Sequence, residues 1–381
     1  MKTNNVLQFS QDSRIFVAGG TGMVGSAIIR KLLSSGYNNI VSNYLRRSPS
    51  SPVTFVQLDL RRQADTEAFF ERERPDYVFL AAAKVGGILA NSTCTAEFIY
   101  DNIAIGANVI HAAYTSGVKK LLNLGSSCIY PRLAPQPMKE EHLLAGPLEP
   151  TNEPYAIAKI AAIKLCRYYN EQYGTNFISG MPTNLYGPND NFDLENSHVL
   201  AALIRKFHLG KLLANGQMDL IRQDFLKHGN CEIRSGDSGV VIRADSSDED
   251  VRKALQHFGI VGSPSTAVLL WGTGEPYREF LYVDDLATAC VHLVKNYDYR
   301  EVGEFVNIGT GEDIRIKDLA MLAKKVVGFS GRIEFDHTKP DGMPKKLLDI
   351  SRIEGFNWRP QVGLEEGIKK AYQSYSSQDG H

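Results

Sequence analysis

Ile15-Phe16-Val17-Ala18-Gly19-Gly20-Thr21-Gly22-Met23-Val24-Gly25 is the stretch on which the fold turns. Four apolar residues run into a glycine loop, and a helical spacing of apolar residues follows at Val24, Ala27, Ile28 and Leu32. Strand, loop and helix in that order near the N-terminus make a first βα unit. A helix starting near Gly22 would aim backbone N–H groups and its dipole at a pyrophosphate. Glycine is also the default residue of any tight turn, so the flanking pattern gives the loop its meaning. Gly19, Gly20, Thr21, Gly22, Met23, Val24 and Gly25 are thus expected at a dinucleotide cofactor.

Outward from this unit, apolar strand patterns alternate with helical ones. Strands are predicted at 40–44, 53–58, 77–82, 120–125 and 177–181, and helices at 65–74, 96–116 and 154–173. That alternation predicts an α/β fold, a Rossmann-type doubly wound parallel sheet with helices on both faces. From Thr183 the chain becomes richer in Gly, Pro and Asn, as expected of a smaller substrate-binding domain. A helix at 284–295 and a strand at 304–308 would return to the first domain. The expected division is therefore residues 1–182 plus 281–308 for the cofactor, and 183–280 plus 309–381 for the substrate. Residues from about 209 to 266 are read as an inserted subdomain, with helices at 211–227 and 248–258. It is either structural or interfacial, or a lid over the substrate.

The chain has 381 residues and a formal net charge of −1, so it lacks the basic surface that nucleic acid or anionic membrane would require. No apolar run has the length of a membrane span or the form of a secretion signal. Five scattered cysteines without a Cys-x-x-Cys pair suit a reducing cytoplasm and argue against a zinc site. A soluble, cytoplasmic enzyme is expected.

Tyr155-Ala156-Ile157-Ala158-Lys159 sets a phenol and an ammonium one helical turn apart on the same face. The charge of Lys159 would favour the phenolate and lower the tyrosine pKa. Ser126, at the end of the 120–125 strand, completes a set suited to protonating a carbonyl oxygen, with Ser127 an adjacent rival. An acid about twenty positions past the glycine loop would mark NAD. Here Ser42-Asn43-Tyr44-Leu45-Arg46-Arg47 contains none. Arg46 and Arg47 suit a ribose 2′-phosphate, which predicts NADP(H), and Asp59 at the next strand end is a candidate adenine contact.

Longer blocks carry a resemblance. Leu80-Ala-Ala-Ala-Lys84-Val-Gly-Gly-Ile88, Gly125-Ser-Ser-Cys128-Ile-Tyr-Pro131, Glu149-Pro-Thr-Asn-Glu-Pro-Tyr-Ala-Ile-Ala-Lys159 and Met181-Pro-Thr-Asn-Leu-Tyr-Gly-Pro188 are four of them. Asn196-Ser-His198, Trp271-Gly-Thr-Gly274, Arg278-Glu-Phe280 and Lys339-Pro-Asp-Gly-Met-Pro-Lys-Lys-Leu-Leu-Asp349 are the others. Together they resemble the extended short-chain dehydrogenase/reductases, and within them the GDP-L-fucose synthase family. The resemblance implies 3,5-epimerisation of GDP-4-keto-6-deoxy-D-mannose followed by NADPH-dependent reduction at C4, in a homodimer built on the two long helices.

It further implies that Cys128 and His198 are the base and acid of epimerisation. From the residues alone, Cys128 reads rather as a buried core cysteine, and a helix cap is an ordinary reading of His198. Lys159, Pro182, Thr183, Asn184, Leu185 and His198 are implied at the cofactor, and Trp271, Arg278 and Asp341 at the GDP-sugar. Lys206 stands where the family presents an arginine, so the charge is kept and the bidentate fork is lost. A 4-epimerase or 4,6-dehydratase of the same superfamily is the nearer alternative. A non-catalytic NADP sensor is the remoter one.

Overall fold

A computed structural model describes residues 9–46, 48–87, 91, 93–235, 238–262, 265–339 and 341–377. Arg47 lies outside the described residues. The first strand, β1 (Ile15–Ala18), is followed by α1 (Met23–Ser34), β2 (Ile40–Tyr44), β3 (Thr54–Gln57) and α2 (Gln63–Glu73). Next come β4 (Tyr77–Leu80), α3 (Thr95–Thr115), β5 (Lys120–Leu124), α4 (Glu153–Tyr173) and β6 (Phe177–Pro182). With the strand Val306–Ile308, these six strands form one sheet in the order Val306–Ile308, β6, β5, β4, β1, β2, β3. Each neighbouring pair is parallel. The strand order reverses at β1, the switch point where a ligand crevice opens beyond the strand ends.

Each strand serves two layers because successive side chains point to opposite faces. Ile15 and Val17 pack with Ile28 and Leu32 of α1 and with Leu286, Ala289 and Leu293 of the helix Val283–Asn296. Phe16 and Ala18 pack with Phe69 and Phe70 of α2 and with Val109 and Ile110 of α3. Both faces are covered, so β1 reads as an uninterrupted apolar run.

A second core lies beyond Thr183. It is built on α5 (Val199–Ala214) and the helices Ile316–Val327 and Leu364–Ser377. The chain between 209 and 266 packs into this same core through Ile221, Phe225, Val251 and Leu255. The single helix predicted over 211–227 is corrected to two. α5 runs on through position 209 to Ala214, a turn follows at Asn215–Gly216, and α6 (Met218–His228) begins afresh. The sequence pattern hid the break because apolar residues continue on both sides of it. A hairpin, Glu232–Ser235 with Ser238–Val241, and the helix α7 (Asp248–His257) complete the segment.

Candidate active site

The glycine loop is a cradle that side chains would fill. Gly19 has φ +84°, and a Cβ on Gly25 would stand 2.2 Å from the Gly19 carbonyl oxygen, so neither position tolerates another residue. β2 holds the loop in place: Gly19 N donates to Asn43 Oδ1 at 2.8 Å and Gly20 N to Ser42 Oγ at 3.1 Å. Gly22 caps α1 with no side-chain bond, and the first turn carries no acid. Its N–H groups and dipole are therefore free for an anion. The roles of Ser42 and Asn43 were not read from the sequence, and the buried Asn43 amide also donates to Leu58 O. Arg46 is exposed past the end of β2. Asp59, expected at the adenine, is closed into a fork with Arg61, Nε at 2.9 Å and Nη2 at 2.7 Å, which holds its carboxyl below the ordinary value.

β5 and α4 place the redox set. Lys159 Nζ donates to Leu124 O at 2.9 Å and lies 5.7 Å from the centre of the Tyr155 ring. Burial draws the Lys159 ammonium down to about 8. Burial also pushes the Tyr155 phenol well above its ordinary value, with the neighbouring Cys128 adding to the effect. The expectation that Lys159 lowers the phenol is therefore corrected. In the protein by itself, desolvation of the phenolate sets the direction. The phenol stays protonated, which is the state a proton donor needs.

The turn after β5 brings in the serine and the thiol. Ser126 caps the short 3₁₀ turn Ser127–Ile129 by accepting from Cys128 N, and its hydroxyl also acts on the Cys128 thiol. The rival Ser127 is buried at 2% exposure, facing away from solvent. Burial raises the Cys128 thiol, while Lys346, Ser126 and Lys159 pull it back down. His198 is the N-cap residue of α5, yet its side chain makes no capping bond. The residue is exposed, and desolvation by the surrounding protein, with Lys346, depresses its imidazolium.

Lys346 thus acts on both Cys128 and His198, and the sequence reading missed it. It sits on the strand Lys345–Lys346, in parallel register with Arg278 of the strand Tyr277–Tyr282. Two cations side by side on neighbouring strands repel, and burial depresses both. Arg278 spends Nη1 on two backbone carbonyls, Tyr277 O at 2.7 Å and Met343 O at 2.6 Å. Such a pair is stable where an anion lies between its members. The only sequence signal was the doubled lysine within the 339–349 block.

Lys206, on α5, is drawn down to about 8 by burial alone. Trp271 ends its strand 64% exposed, with Lys339 Nζ 5.4 Å above the ring. Asp341 accepts from Thr273 N at 2.9 Å and Thr273 Oγ1 at 2.6 Å, so it anchors the turn after Trp271. Pro182 ends β6, and Thr183 N donates to Ile308 O. Asn184 and Leu185 belong to a short strand, β7 (Asn184–Tyr186), paired with Tyr277–Tyr282, and Asn184 Nδ2 is engaged by Glu279 O at 2.7 Å. Among the described residues no three His, Cys, Asp or Glu side chains group as metal ligands would.

A parallel sheet with its glycine loop at the switch point, and a Ser-Tyr-Lys set at the next strand ends, define a nucleotide-dependent redox or epimerising enzyme fold. The profile of the NAD dependent epimerase/dehydratase family matches residues 15–226 and 248–309. The chain belongs to that family, and within it to the GDP-L-fucose synthases. It is 49% identical over 365 residues to GDP-L-fucose synthase 1 of Arabidopsis thaliana, covering 96% of this chain and 94% of that one. To the GDP-L-fucose synthase of Escherichia coli it is 44% identical over 366 residues, with 94% and 95% covered. Among solved structures, a GDP-D-glycero-L-gluco-heptose synthase from Campylobacter jejuni in the presence of NADPH superposes with a TM-score of 0.83 at 38% identity, covering 96% and 99%.

Proposed function

We propose that this chain converts GDP-4-keto-6-deoxy-D-mannose to GDP-L-fucose, inverting C3 and C5 and reducing C4 with NADPH. One observation carries this reading: the proton-donor set adjoins the thiol, with Ser126 Oγ accepting from Cys128 N and Lys159 Nζ 5.7 Å from the centre of the Tyr155 ring, while Lys346 acts on both Cys128 and His198. The names of the relatives support the substrate. The cradle formed by Gly19, Gly25 and the open start of α1 fits the pyrophosphate of NADP(H), and Arg46 its 2′-phosphate. NADPH supplies the reducing equivalent for C4.

The C4 ketone acidifies the protons on both neighbouring carbons, so one acid–base pair can serve both. Cys128 takes a proton from one face of the ring and His198 returns one from the other. Lys346 stabilises the thiolate. Tyr155 then gives its proton to the C4 oxygen, which Ser126 holds by a hydrogen bond, and Lys159 stabilises the phenolate left behind. Lys206, Arg278 and Lys346 hold the diphosphate, with Trp271 offering its exposed face to the nucleotide or sugar.

We also propose a cytoplasmic homodimer. Tyr100 (70% exposed) on α3 and Tyr168 (54%) on α4 present aromatic area that a partner's helices would cover. All five cysteines are unpaired, as suits a reducing compartment. No helix among the described residues is long and apolar enough to cross a membrane. We further propose that residues 1–182 plus 281–308 form the cofactor part and 183–280 plus 309–381 the substrate part.

The resemblance to a GDP-heptose synthase favours a second reading, in which the ketosugar carries a larger C6 substituent. NADPH oxidation is followed with GDP-4-keto-6-deoxy-D-mannose and with the corresponding 4-ketoheptose, and the products are identified by NMR. GDP-L-fucose as the favoured product supports the first reading; preference for the heptose replaces it.

A further inference from the structure

His198 sits at the end of a loop, 192–198, whose backbone is held from two sides. On one side, Gly87 N donates to Asn196 O at 2.8 Å, and a Cβ on Gly87 would come within 2.9 Å of Ser197 O. The other side belongs to the insert. Asn230, just past the end of α6, takes φ +68° and turns its amide oxygen to accept from Leu194 N at 2.8 Å and from Arg205 Nη1 at 2.9 Å. Arg205, fully buried on α5 two turns past His198, also donates to Phe192 O at 3.0 Å and Gly229 O at 3.0 Å, and pairs with Asp224 at 2.8 Å. Asp193 Oδ1 then caps Glu195 N at 3.0 Å and Asn196 N at 2.8 Å.

We propose that the insert is a positioning element for His198, and that Asn230 is the residue through which it fixes the loop carrying the imidazole. The proposal rests on the reading of His198 as an epimerisation acid. Asn230 falls in 227–247, the stretch between the two blocks matched by the family profile, while the groups it holds, Leu194 N and Arg205 Nη1, lie inside the first block. Reduction at C4 depends on Tyr155 and Ser126, which are carried by α4 and the turn after β5, and does not pass through the brace. Loosening Asn230 therefore uncouples inversion from reduction.

The test is the partition of product between GDP-L-fucose and the sugar reduced without inversion. Asn230→Gly keeps the left-handed backbone and removes the acceptor, whereas Asn230→Asp keeps both. Asn230→Gly is expected to lower inversion roughly 10- to 100-fold, as a misplaced catalytic group does, while NADPH oxidation persists and un-inverted product accumulates. Asn230→Asp restores the wild-type partition. A parallel fall of inversion and reduction in Asn230→Gly, or an unchanged partition, overturns the proposal. His198→Gln is run alongside. If it too leaves the partition unchanged, the role of His198 itself has failed; if it shifts the partition and Asn230→Gly does not, only the brace has.

Discussion

The ammonium of Lys159 stands 5.7 Å from the centre of the Tyr155 ring while its Nζ is tethered to Leu124 O at 2.9 Å. It is thus fixed beside the phenol but spends one donor on the sheet. Tyr155→Phe and Lys159→Met should each slow C4 reduction by roughly 10²- to 10⁴-fold, the range for loss of a positioned acid. Deuterium entry at C3 and C5 from heavy water should survive in Tyr155→Phe, because Cys128 and His198 are untouched. Loss of exchange together with reduction would show that the phenol also serves the epimerisation.

Lys346 acts electrostatically on both groups assigned to epimerisation. Removing its charge leaves the buried Cys128 thiol with Ser126 and Lys159 as its remaining supports. Lys346→Met should therefore move the alkaline rise of the epimerisation rate to higher pH, and each pH unit by which the thiol pKa climbs removes about nine-tenths of the thiolate at a fixed pH below it. Lys346→Arg should restore the profile. A pH–rate curve for deuterium exchange decides it; an unmoved curve with a raised KM would confine Lys346 to diphosphate binding.

The large features of the fold were legible because their physics is local. An apolar run buried on both faces, as in β1, and a glycine loop at its end need no distant information, and the six strand segments read between Ile15 and Met181 all join the sheet. The site was legible where spacing carries it, as at Tyr155 and Lys159. What remained hidden was set by tertiary contact. The break between α5 and α6 is invisible to periodicity, the fork that closes Asp59 depends on Arg61, and the high phenol pKa of Tyr155 follows from burial that no spacing rule contains. Lys346 becomes a site residue only because strand pairing sets it beside Arg278.

Lys206 titrates, when bare, at about 8. It is charged below that pH and neutral above, so its hold on a diphosphate weakens as pH rises through 8. The kcat/KM for the GDP-sugar should accordingly fall on the alkaline side, since that parameter reports groups of the free enzyme. Lys206→Arg, which keeps its charge throughout, should flatten the part of this limb due to Lys206 and leave the part due to Lys159. Lys206→Met should raise KM at neutral pH by about 10- to 100-fold, matching the ~1.5–3 kcal/mol of a hydrogen bond to a charged group.

Arg46 is the described cation beyond β2, and no carboxylate replaces it along Ser42-Asn43-Tyr44-Leu45. Arg46→Ser should weaken NADPH by roughly tenfold or more through loss of a charge-assisted contact. NADH use should stay unchanged, since NADH lacks the 2′-phosphate. Cofactor Kd values from fluorescence titration test this directly. Equal weakening of both cofactors would place Arg46 against the pyrophosphate or the adenine instead.

Arg205 and Asp224 form an ion pair with side chains 0% and 6% exposed, and Tyr375 donates its hydroxyl to the second oxygen of Asp224. Through this pair α5, α6 and the helix Leu364–Ser377 share one anchor. Arg205→Met strands the carboxylate in the second core, which should lower unfolding free energy by about 3–5 kcal/mol, the penalty for breaking a buried pair from one side. Adding Asp224→Leu removes the orphaned charge, so the double variant should regain much of that loss even though the Tyr375 hydroxyl is then left without its acceptor. Urea unfolding of the two single variants and the double variant gives the coupling energy. A double variant no more stable than Arg205→Met would mean that the carbonyls of Phe192 and Gly229, left without the guanidinium, matter more to the anchor than the buried carboxylate does.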